Sequence, residues 1–251
     1  MHRYFEINGG GHNIRCKLYY QDLKNIRRVV IFCHGFSGHK DNTSAENFAE
    51  RMLTKYKGCA LVTFNLPCHG DDVKKKLNLA DCDAYLDLVI GYLREKYQPE
   101  GLYAYATSFG GYLMLKYIAE HGSPFQKIAL RCPAVNIYEA LTGIIISGED
   151  LEKLQKGKDI LVGFDRKVPV GNAFLEDLKA NDIRWLDYLD WAEDILILQG
   201  TADDTIPYEA VRDFAEEQLI EFITVEGADH RFRNPQHMEL AIKKILEHFA
   251  L

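Results

Sequence analysis

Residues 101–119 read GLYAYATSFGGYLMLKYIA, and the turn inside this stretch is the most informative feature of the chain. Aromatic and small residues typical of a strand lead up to Ser108, and helix formers follow from Tyr112 onward. Gly110 and Gly111 lack side chains, which lets a strand and a helix approach closely on either side of the serine. The pattern predicts a sharp strand–turn–helix that exposes the Ser108 hydroxyl. Taken alone, the serine is equally consistent with an ordinary helix N-cap.

Two ionisable residues further along the chain favour a catalytic interpretation of Ser108. Residues 193–200, EDILILQG, predict a buried strand that ends shortly before Asp203. Residues 219–225 predict the next strand, and His230 follows that strand on a loop. Open α/β sheets build their sites beyond the carboxyl ends of the strands. Because a serine hydroxyl is a weak nucleophile, we expect His230 to take its proton and Asp203 to orient the imidazole.

These residues, with two upstream loops, resemble the α/β-hydrolase superfamily, and within it the small bacterial esterases that include cinnamoyl and feruloyl esterases. Residues 33–39, CHGFSGH, follow an apolar strand and resemble the family's first oxyanion-hole loop. Residues 65–71, NLPCHGD, resemble the family's aspartate-x-x-glycine-histidine-glycine turn, but Asn65 and Cys68 depart from it. Ala106 stands where the family's serine motif usually has glycine. The resemblance extends over nearly the whole chain.

The resemblance implies a fold and a set of site residues. The fold is α/β, of the α/β-hydrolase type, with a mostly parallel twisted sheet flanked by helices. Ser108, Asp203 and His230 match the family's nucleophile, acid and base. The family pattern also assigns the oxyanion hole to the backbone N–H groups of Phe36 and Phe109.

Two neighbouring carboxylates are alternatives for the orienting acid. Asp204 is adjacent to Asp203 and equally ionisable, but the family's glycine-x-x-aspartate spacing from Gly200 favours Asp203. Asp204 is interpreted as a solvated loop carboxylate or a cap. Asp229 directly precedes His230, and neighbouring side chains in an extended segment point apart, so we expect a structural role for it.

The remaining pattern predicts alternating strands and helices, as a mostly parallel sheet requires. Residues 3–7 and 13–20 alternate in polarity around a glycine run and predict an antiparallel hairpin. Thr43-Ser44-Ala45-Glu46 has capping-box spacing and predicts a helix that starts at Thr43. A terminal helix is predicted to begin at Asn234-Pro235.

One segment interrupts this alternation and predicts an inserted lid at residues 135–190. About sixty residues separate the strand at 127–132 from the strand that ends at Gly200, roughly twice what a simple βα unit needs. The apolar residues of the segment include Tyr138, Leu141, Ile144, Ile145, Ile146, Phe164, Phe174, Trp185 and Tyr188. Each is consistent with a small core of the lid itself, but together we expect them to form an apolar pocket over Ser108. Tyr138, soon after the strand end, is the predicted substrate-binding residue.

Composition is consistent with one α/β domain spanning residues 1–251, since 47% of the chain is hydrophobic. A net charge of -7 disfavours nucleic acid as a partner, and the basic run Lys74-Lys75-Lys76 is interpreted as a solvated loop. No apolar stretch is long enough to span a bilayer, and the first residues do not resemble a signal peptide, so we expect a cytoplasmic protein. No feature of the sequence indicates an oligomeric state.

Cysteines and histidines give no indication of a metal or another cofactor. The 6 cysteines lack CxxC spacing, and most fall in or beside predicted strands, where free thiols pack as small hydrophobic groups. The 9 histidines include no helix-borne HExxH pair. His34 and His69 are interpreted as residues that shape loops.

The sequence therefore predicts a serine hydrolase that cleaves a small-molecule carboxylic ester, of the cinnamoyl, feruloyl or another aryl or acyl type, through an acyl-serine intermediate. A peptidase or a thioesterase with the same three residues is the alternative among enzymes. A binding protein that keeps the fold without turnover is the alternative from another class. Fold relatives share this machinery, and the lid decides among substrates.

Overall fold

A central sheet dominates the computed structural model, which describes residues 1–163 and 166–251. The strands, in chain order, are β1 His2–Gly9, β2 His12–Tyr20, β3 Arg28–Cys33, β4 Cys59–Phe64, β5 Gly101–Thr107, β6 Lys127–Arg131, β7 Ile160–Val162, β8 Val168–Val170, β9 Ile195–Gly200 and β10 Glu221–Val225. Within these described ranges, eight strands form one sheet in the order β1-β2-β4-β3-β5-β6-β9-β10. Strands β7 and β8 pair separately as an antiparallel hairpin.

The sheet is parallel from β4 to β10 and antiparallel only at one edge, where β1 pairs with β2 and β2 pairs with β4. The predicted mostly parallel sheet and its N-terminal hairpin are therefore confirmed. Strands β4, β5 and β9 are buried along their whole length, as expected of parallel strands covered on both faces. All six parallel strands bring their carboxyl ends to the same edge.

Helices cover both faces of the sheet. They are α1 Thr43–Lys55, α2 Leu79–Tyr97, α3 Phe109–His121, α4 Ile137–Ala140, α5 Gly148–Gln155, α6 Asn172–Ala180, α7 Tyr208–Glu217 and α8 Pro235–Phe249. A π-helical turn spans Leu141–Ile145, and short 3₁₀ turns span Ile183–Trp185 and Leu189–Asp194. One apolar cluster packs α2, α3 and α7 against the sheet, and a second packs α1 and α8 against the opposite face.

Asparagine side chains cap the N-termini of α1 and α8. The predicted capping box at Thr43 is wrong by one residue, because the Asn42 side chain accepts the N–H of Ala45 at 3.1 Å and Thr43 is already helical. Asn234 caps α8 and is followed by Pro235 in the first turn, as predicted. A proline fits there because a first-turn N–H has no partner within the helix.

The chain between β6 and β9 holds α4 to α6 and the β7–β8 hairpin, and residues 135–190 of it are called the insertion below. Leu141, Phe174 and Tyr188 are buried and belong to the apolar cluster that packs α2, α3 and α7 against the sheet. By contrast, 84% of Trp185 and 53% of Ile144 are exposed, so these two side chains are not part of the buried core. Phe164, which we expected in the pocket, lies outside the described residues.

Candidate active site

Ser108 lies at a sharp turn between β5 and α3. Its φ of 51° and ψ of -119° fall where residues other than glycine are rarely found. Backbone bonds fix the turn, since Ser108 N donates to the Arg131 carbonyl and Ser108 O accepts from Ala134 N, both at 3.1 Å. A Cβ on Gly110 would lie 2.4 Å from the carbonyl oxygen of Cys33, which explains why a glycine follows the turn. The close approach of α3 to β3 therefore depends on that glycine.

His230 lies between β10 and α8 and is hydrogen-bonded on both sides. Its Nε2 is 3.0 Å from Ser108 Oγ, and its Nδ1 is 2.8 Å from Asp203 Oδ2. The imidazole is partly exposed, whereas the Asp203 side chain is fully buried. Ser108, His230 and Asp203 are far apart in the sequence, and the structure joins them by these two hydrogen bonds. The hydrogen-bonded set is called the relay below.

The Asp203 carboxylate is held by donors on both oxygens. Oδ1 accepts the backbone N–H groups of Thr205 and Ile206 at 2.9 and 2.8 Å, while Oδ2 accepts from His230. Burial raises the pKa of Asp203, but the hydrogen bond and charge of His230 and the two backbone donors outweigh burial and hold it below its ordinary value. The carboxylate therefore stays ionised against the imidazole.

The alternative carboxylates make contacts elsewhere. Asp204 is exposed and accepts from the hydroxyl of Thr205 at 3.2 Å. Asp229 accepts the backbone N–H of Arg233 at 2.9 Å and pairs with its guanidinium at 3.2 Å. Within the described part of the chain, neither carboxylate is hydrogen-bonded to His230.

Sequence reasoning missed Gln199, the second side-chain donor to Asp203. Gln199 is fully buried in β9, and its Nε2 donates to Asp203 Oδ2 at 2.9 Å and to the Ile206 carbonyl at 3.1 Å. It therefore fixes the carboxylate and the loop after β9 together. A buried polar residue in an otherwise apolar strand, directly before Gly200, was the available indication.

Phe36 and Phe109, the predicted oxyanion-hole residues, are each next in the chain to a residue at the Ser108 turn. The loop after β3 passes so close that a Cβ on Gly35 would lie 3.1 Å from Ser108 Cβ, and Phe36 follows it directly. Phe109 is the first residue of α3, where a helical N–H has no acceptor within the helix. Among the described residues, the backbone hydrogen bonds of turns, loops and caps include none in which the N–H of Phe36 or of Phe109 is the donor. The two rings pack edge to face at 5.9 Å.

His34 and His69 shape the loops behind this region. His34 donates from Nδ1 to the Gly35 carbonyl at 2.8 Å and accepts the Leu66 N–H on Nε2 at 3.1 Å. His69 donates from Nδ1 to the Pro67 carbonyl at 2.8 Å. Burial lowers the pKa of His34 well below its ordinary value and that of His69 to about 4, so both rings are neutral near pH 7.

Ser108 and His230 line a cleft of about 360 Å³. The insertion supplies Ile145 and Arg166 to its wall, and the oxyanion-loop residue Phe36 also lines it. The expected apolar pocket is wrong in composition, because polar and charged residues predominate among the described residues that line the cleft. Buried apolar side chains of the insertion, such as Leu141, Phe174 and Tyr188, pack instead in the cluster of α2, α3 and α7.

Tyr138 is not among the residues that line this cleft. It lies in α4 and lines a separate cavity of about 30 Å³ together with Tyr112 and Lys179, whose ammonium is 5.9 Å from the ring centre. Because α4 turns Tyr138 toward α6, closeness in sequence to the end of β6 does not bring it to Ser108.

Cys132, Asp203 and His230 are the one described group whose ligand atoms, all within 4.8 Å of one another, have the donor types of a metal site. Burial, and then the charge of Asp203, raise the pKa of the Cys132 thiol well above its ordinary value. A protonated thiol is a poor ligand, since the thiolate is the form that binds metals. The donor set therefore does not fit a metal, and its imidazole and carboxylate are already hydrogen-bonded to each other.

None of the helices in residues 1–163 and 166–251 is both long enough and apolar enough to cross a membrane.

Comparisons with solved structures show which proteins share this fold. Est1E from Butyrivibrio proteoclasticus, in a structure with bound ferulic acid, is 19% identical, and the match covers 98% of this chain and 100% of that one with a TM-score of 0.76. A putative hydrolase from Agrobacterium vitis S4 is 17% identical, with 99% and 98% covered and a TM-score of 0.78. XC6422 from Xanthomonas campestris, described as an a/b serine hydrolase without lid, is 16% identical, with 99% and 94% covered and a TM-score of 0.66. At these identities the likeness shows the fold alone.

Comparisons of sequence give one match to a family. A search of curated proteins found no significant match. The family model described as alpha/beta hydrolase fold matches residues 28–156, just over half of the chain. These residues run from β3 through the Ser108 turn into the insertion. The chain therefore belongs to the α/β-hydrolase family.

Proposed function

We propose that the protein is a serine hydrolase that cleaves carboxylic esters through an acyl-serine intermediate. The observation that carries the proposal is the relay from Ser108 Oγ through His230 to Asp203, with contacts of 3.0 and 2.8 Å. The strained turn at Ser108 supports it, since stored backbone strain is typical of functional positions.

In the proposed mechanism, Ser108 Oγ attacks the ester carbonyl while His230 Nε2 takes the hydroxyl proton. The tetrahedral intermediate collapses, the bond to the alcohol oxygen breaks, and His230 returns the proton to the leaving alcohol. Water then attacks the acyl-serine with His230 as base again, which releases the carboxylic acid and restores Ser108. Asp203 holds the imidazole with Nδ1–H toward the carboxylate and stabilises the imidazolium formed in each half-reaction.

The negative charge on the intermediate needs donors placed in advance. We assign this role to the N–H groups of Phe36 and Phe109, which lie beside Ser108. Removing one donor of this kind costs about 3 to 4 kcal/mol of transition-state stabilisation in a comparable hydrolase.

The insertion, residues 135–190, is proposed as a lid, and Ile145 and Arg166 are its described residues that line the cleft. Est1E has been solved with ferulic acid, and an ester of an aromatic acid, such as a ferulate, is accordingly one substrate class to test. Tyr138 is left out of the proposed substrate contacts because it lines another cavity.

A substrate panel tests the proposal. We expect kcat/KM for 4-nitrophenyl acetate and methyl ferulate to exceed that for the matched acyl anilides, and Ser108→Ala to abolish turnover of both esters. Faster cleavage of anilides or of acyl thioesters would favour the peptidase or thioesterase alternative. Absence of turnover above the Ser108→Ala background with every substrate would support a binding protein instead.

A further inference from the structure

The cleft beside Ser108 carries positive charge in an acidic protein. The whole chain has a net charge of -7, yet Arg131 and Arg166 both line the cleft. Among the described residues of the lining, Asp41 carries the negative charge. Its carboxylate oxygens form ion pairs with Lys40 Nζ at 3.1 Å and Lys17 Nζ at 3.5 Å. The lining therefore favours a negatively charged occupant.

Arg131 is the more unusual of these residues, because its guanidinium is buried and no described carboxylate pairs with it. Only 6% of the residue is exposed. Its Nη1 donates to the Arg231 carbonyl at 3.3 Å and contacts Met238 Sδ at 3.5 Å, while the group lies 5.2 Å from the centre of the Phe232 ring. Nε is buried and has no hydrogen-bond partner in the described parts of the chain. Among the described residues, the guanidinium thus meets only neutral groups, and a buried charge without a counterion is costly.

The strand register directs this side chain toward one end of the cleft. Arg131 pairs with Thr107 across β5 and β6, directly beside Ser108, and both residues line the cleft. Alternation along β6 puts Arg131 on the same face as Ala129, which packs in the cluster of α1 and α8.

The N-terminus of α1 reaches the cleft on this same face. Thr43 and Ser44, in the first turn of α1, line the cleft with the cap residue Asn42. First-turn N–H groups and the helix dipole both favour an anion, and a planar guanidinium matches the two oxygens of a carboxylate. The unpartnered Arg131 Nε and the helix N-terminus are therefore independent features that favour the same ligand chemistry.

We infer that the cleft binds esters that carry a second, free carboxylate, held between Arg131 and the first turn of α1 while Ser108 attacks the ester carbonyl. The substrate class rests on the proposed ester hydrolysis. Binding of a carboxylate at this place does not depend on that proposal. The substrate class is accordingly a monoester of a dicarboxylic acid, or an ester of a hydroxy acid.

Matched ester pairs test the preference. The first pair is 4-nitrophenyl hydrogen glutarate against 4-nitrophenyl valerate, with the charge on the acyl side. The second is 3-acetoxybenzoate against 3-acetoxybenzamide, with the charge on the alcohol side. We expect kcat/KM to favour the charged member of at least one pair by about tenfold or more, the scale of a hydrogen bond to a charged group. Parity or a neutral preference in both pairs would overturn the inference.

Two variants and a control locate the effect. Arg131→Met should reduce the charged-to-neutral ratio to near one. Ser44→Asp should reduce it as well, because it adds a negative charge to the cleft at a helix position that tolerates acids and so keeps α1 intact. Arg212→Gln, which removes an exposed arginine of α7 paired with Asp213, should leave the ratio unchanged. A ratio unchanged in both Arg131→Met and Ser44→Asp would refute the assigned site.

A binding experiment separates this inference from the proposed function. In Ser108→Ala, millimolar glutarate should raise Tm while the neutral glutaramide does not, since a ligand that binds only the folded state stabilises it. The added substitution Arg131→Met should abolish the rise. If glutarate stabilises Ser108→Ala but no ester is hydrolysed, the proposed function fails and the carboxylate site stands. If esters are hydrolysed but glutarate does not raise Tm, the proposed carboxylate site is wrong. The site is also wrong if inorganic phosphate raises Tm and glutarate does not.

Discussion

Replacing Asp203 with asparagine reverses hydrogen-bonding directions in the relay. Oδ1 accepts the backbone N–H groups of Thr205 and Ile206, and Oδ2 accepts from Gln199 and His230. The new amide keeps its oxygen toward the two backbone donors, so its NH₂ group faces Gln199 Nε2 and His230 Nδ1. Because an NH₂ group cannot accept, His230 is forced to carry its proton on Nε2, where it no longer acts as the base.

The size of the effect follows from the burial of this site. A wrong imidazole tautomer lowers kcat by about 10⁴-fold in an established serine protease triad. That loss corresponds to about 5 kcal/mol of transition-state stabilisation. We expect the same scale because the Asp203 side chain is fully buried and no other described carboxylate is hydrogen-bonded to His230. The Gln199 amide also loses its acceptor, which should lower the free energy of unfolding by about 1 to 3 kcal/mol.

The assay compares kcat/KM for 4-nitrophenyl acetate in Asp203→Asn and in the matched control Asp204→Asn. The control removes an exposed neighbouring charge and should stay within about threefold of the native value, as surface substitutions usually do. Urea unfolding measured alongside checks that both variants are folded. A loss below about tenfold in Asp203→Asn, or a larger loss in Asp204→Asn, would refute the assignment of the orienting acid.

Two further predictions concern packing and pH. Gly110→Ala should lower kcat/KM and reduce the free energy of unfolding by about 1 to 3 kcal/mol, because its Cβ would lie 2.4 Å from the Cys33 carbonyl oxygen. The control Gly91→Ala meets nothing within 4 Å in α2 and should stabilise the protein by about 0.5 to 1 kcal/mol; urea unfolding that ranks the two variants the other way would contradict the packing argument. Burial lowers the pKa of His69 to about 4, so the unfolded chain binds its proton more tightly, and stability should be full above pH 6.5 and fall by about 3 kcal/mol as the pH drops to 4. Urea unfolding across this range should show a weaker pH dependence in His69→Gln, and an unchanged dependence would exclude His69 as a cause.

Local sequence predicted the parts of the fold that depend on backbone geometry. The turn at Ser108 requires a close helix–strand approach, and only a residue without a side chain fits at Gly110, so the requirement is visible in the sequence itself. Asp203 and His230 follow strands, and parallel strands bring their carboxyl ends to one edge. The relay geometry was therefore accessible before the structure.

Contacts across the sheet and within the insertion could not be predicted in this way. Gln199 donates to Asp203 because the chain turns directly after β9. Arg131 lines the cleft because β6 lies beside β5. Tyr138 follows β6 in the sequence, but α4 turns its ring toward α6. The direction of a side chain in a short helix depends on tertiary packing. A helix of one turn is too short for the spacing of its apolar residues to predict which side faces the core.

The identity of the nucleophile is tested most directly by labelling with a fluorophosphonate probe, followed by mass spectrometry of the modified peptide. We expect a single adduct on Ser108 in the native protein and none in Ser108→Ala, with the circular dichroism spectrum and Tm of the variant unchanged. Labelling that persists in folded Ser108→Ala, or a native protein that does not react at all, would contradict it.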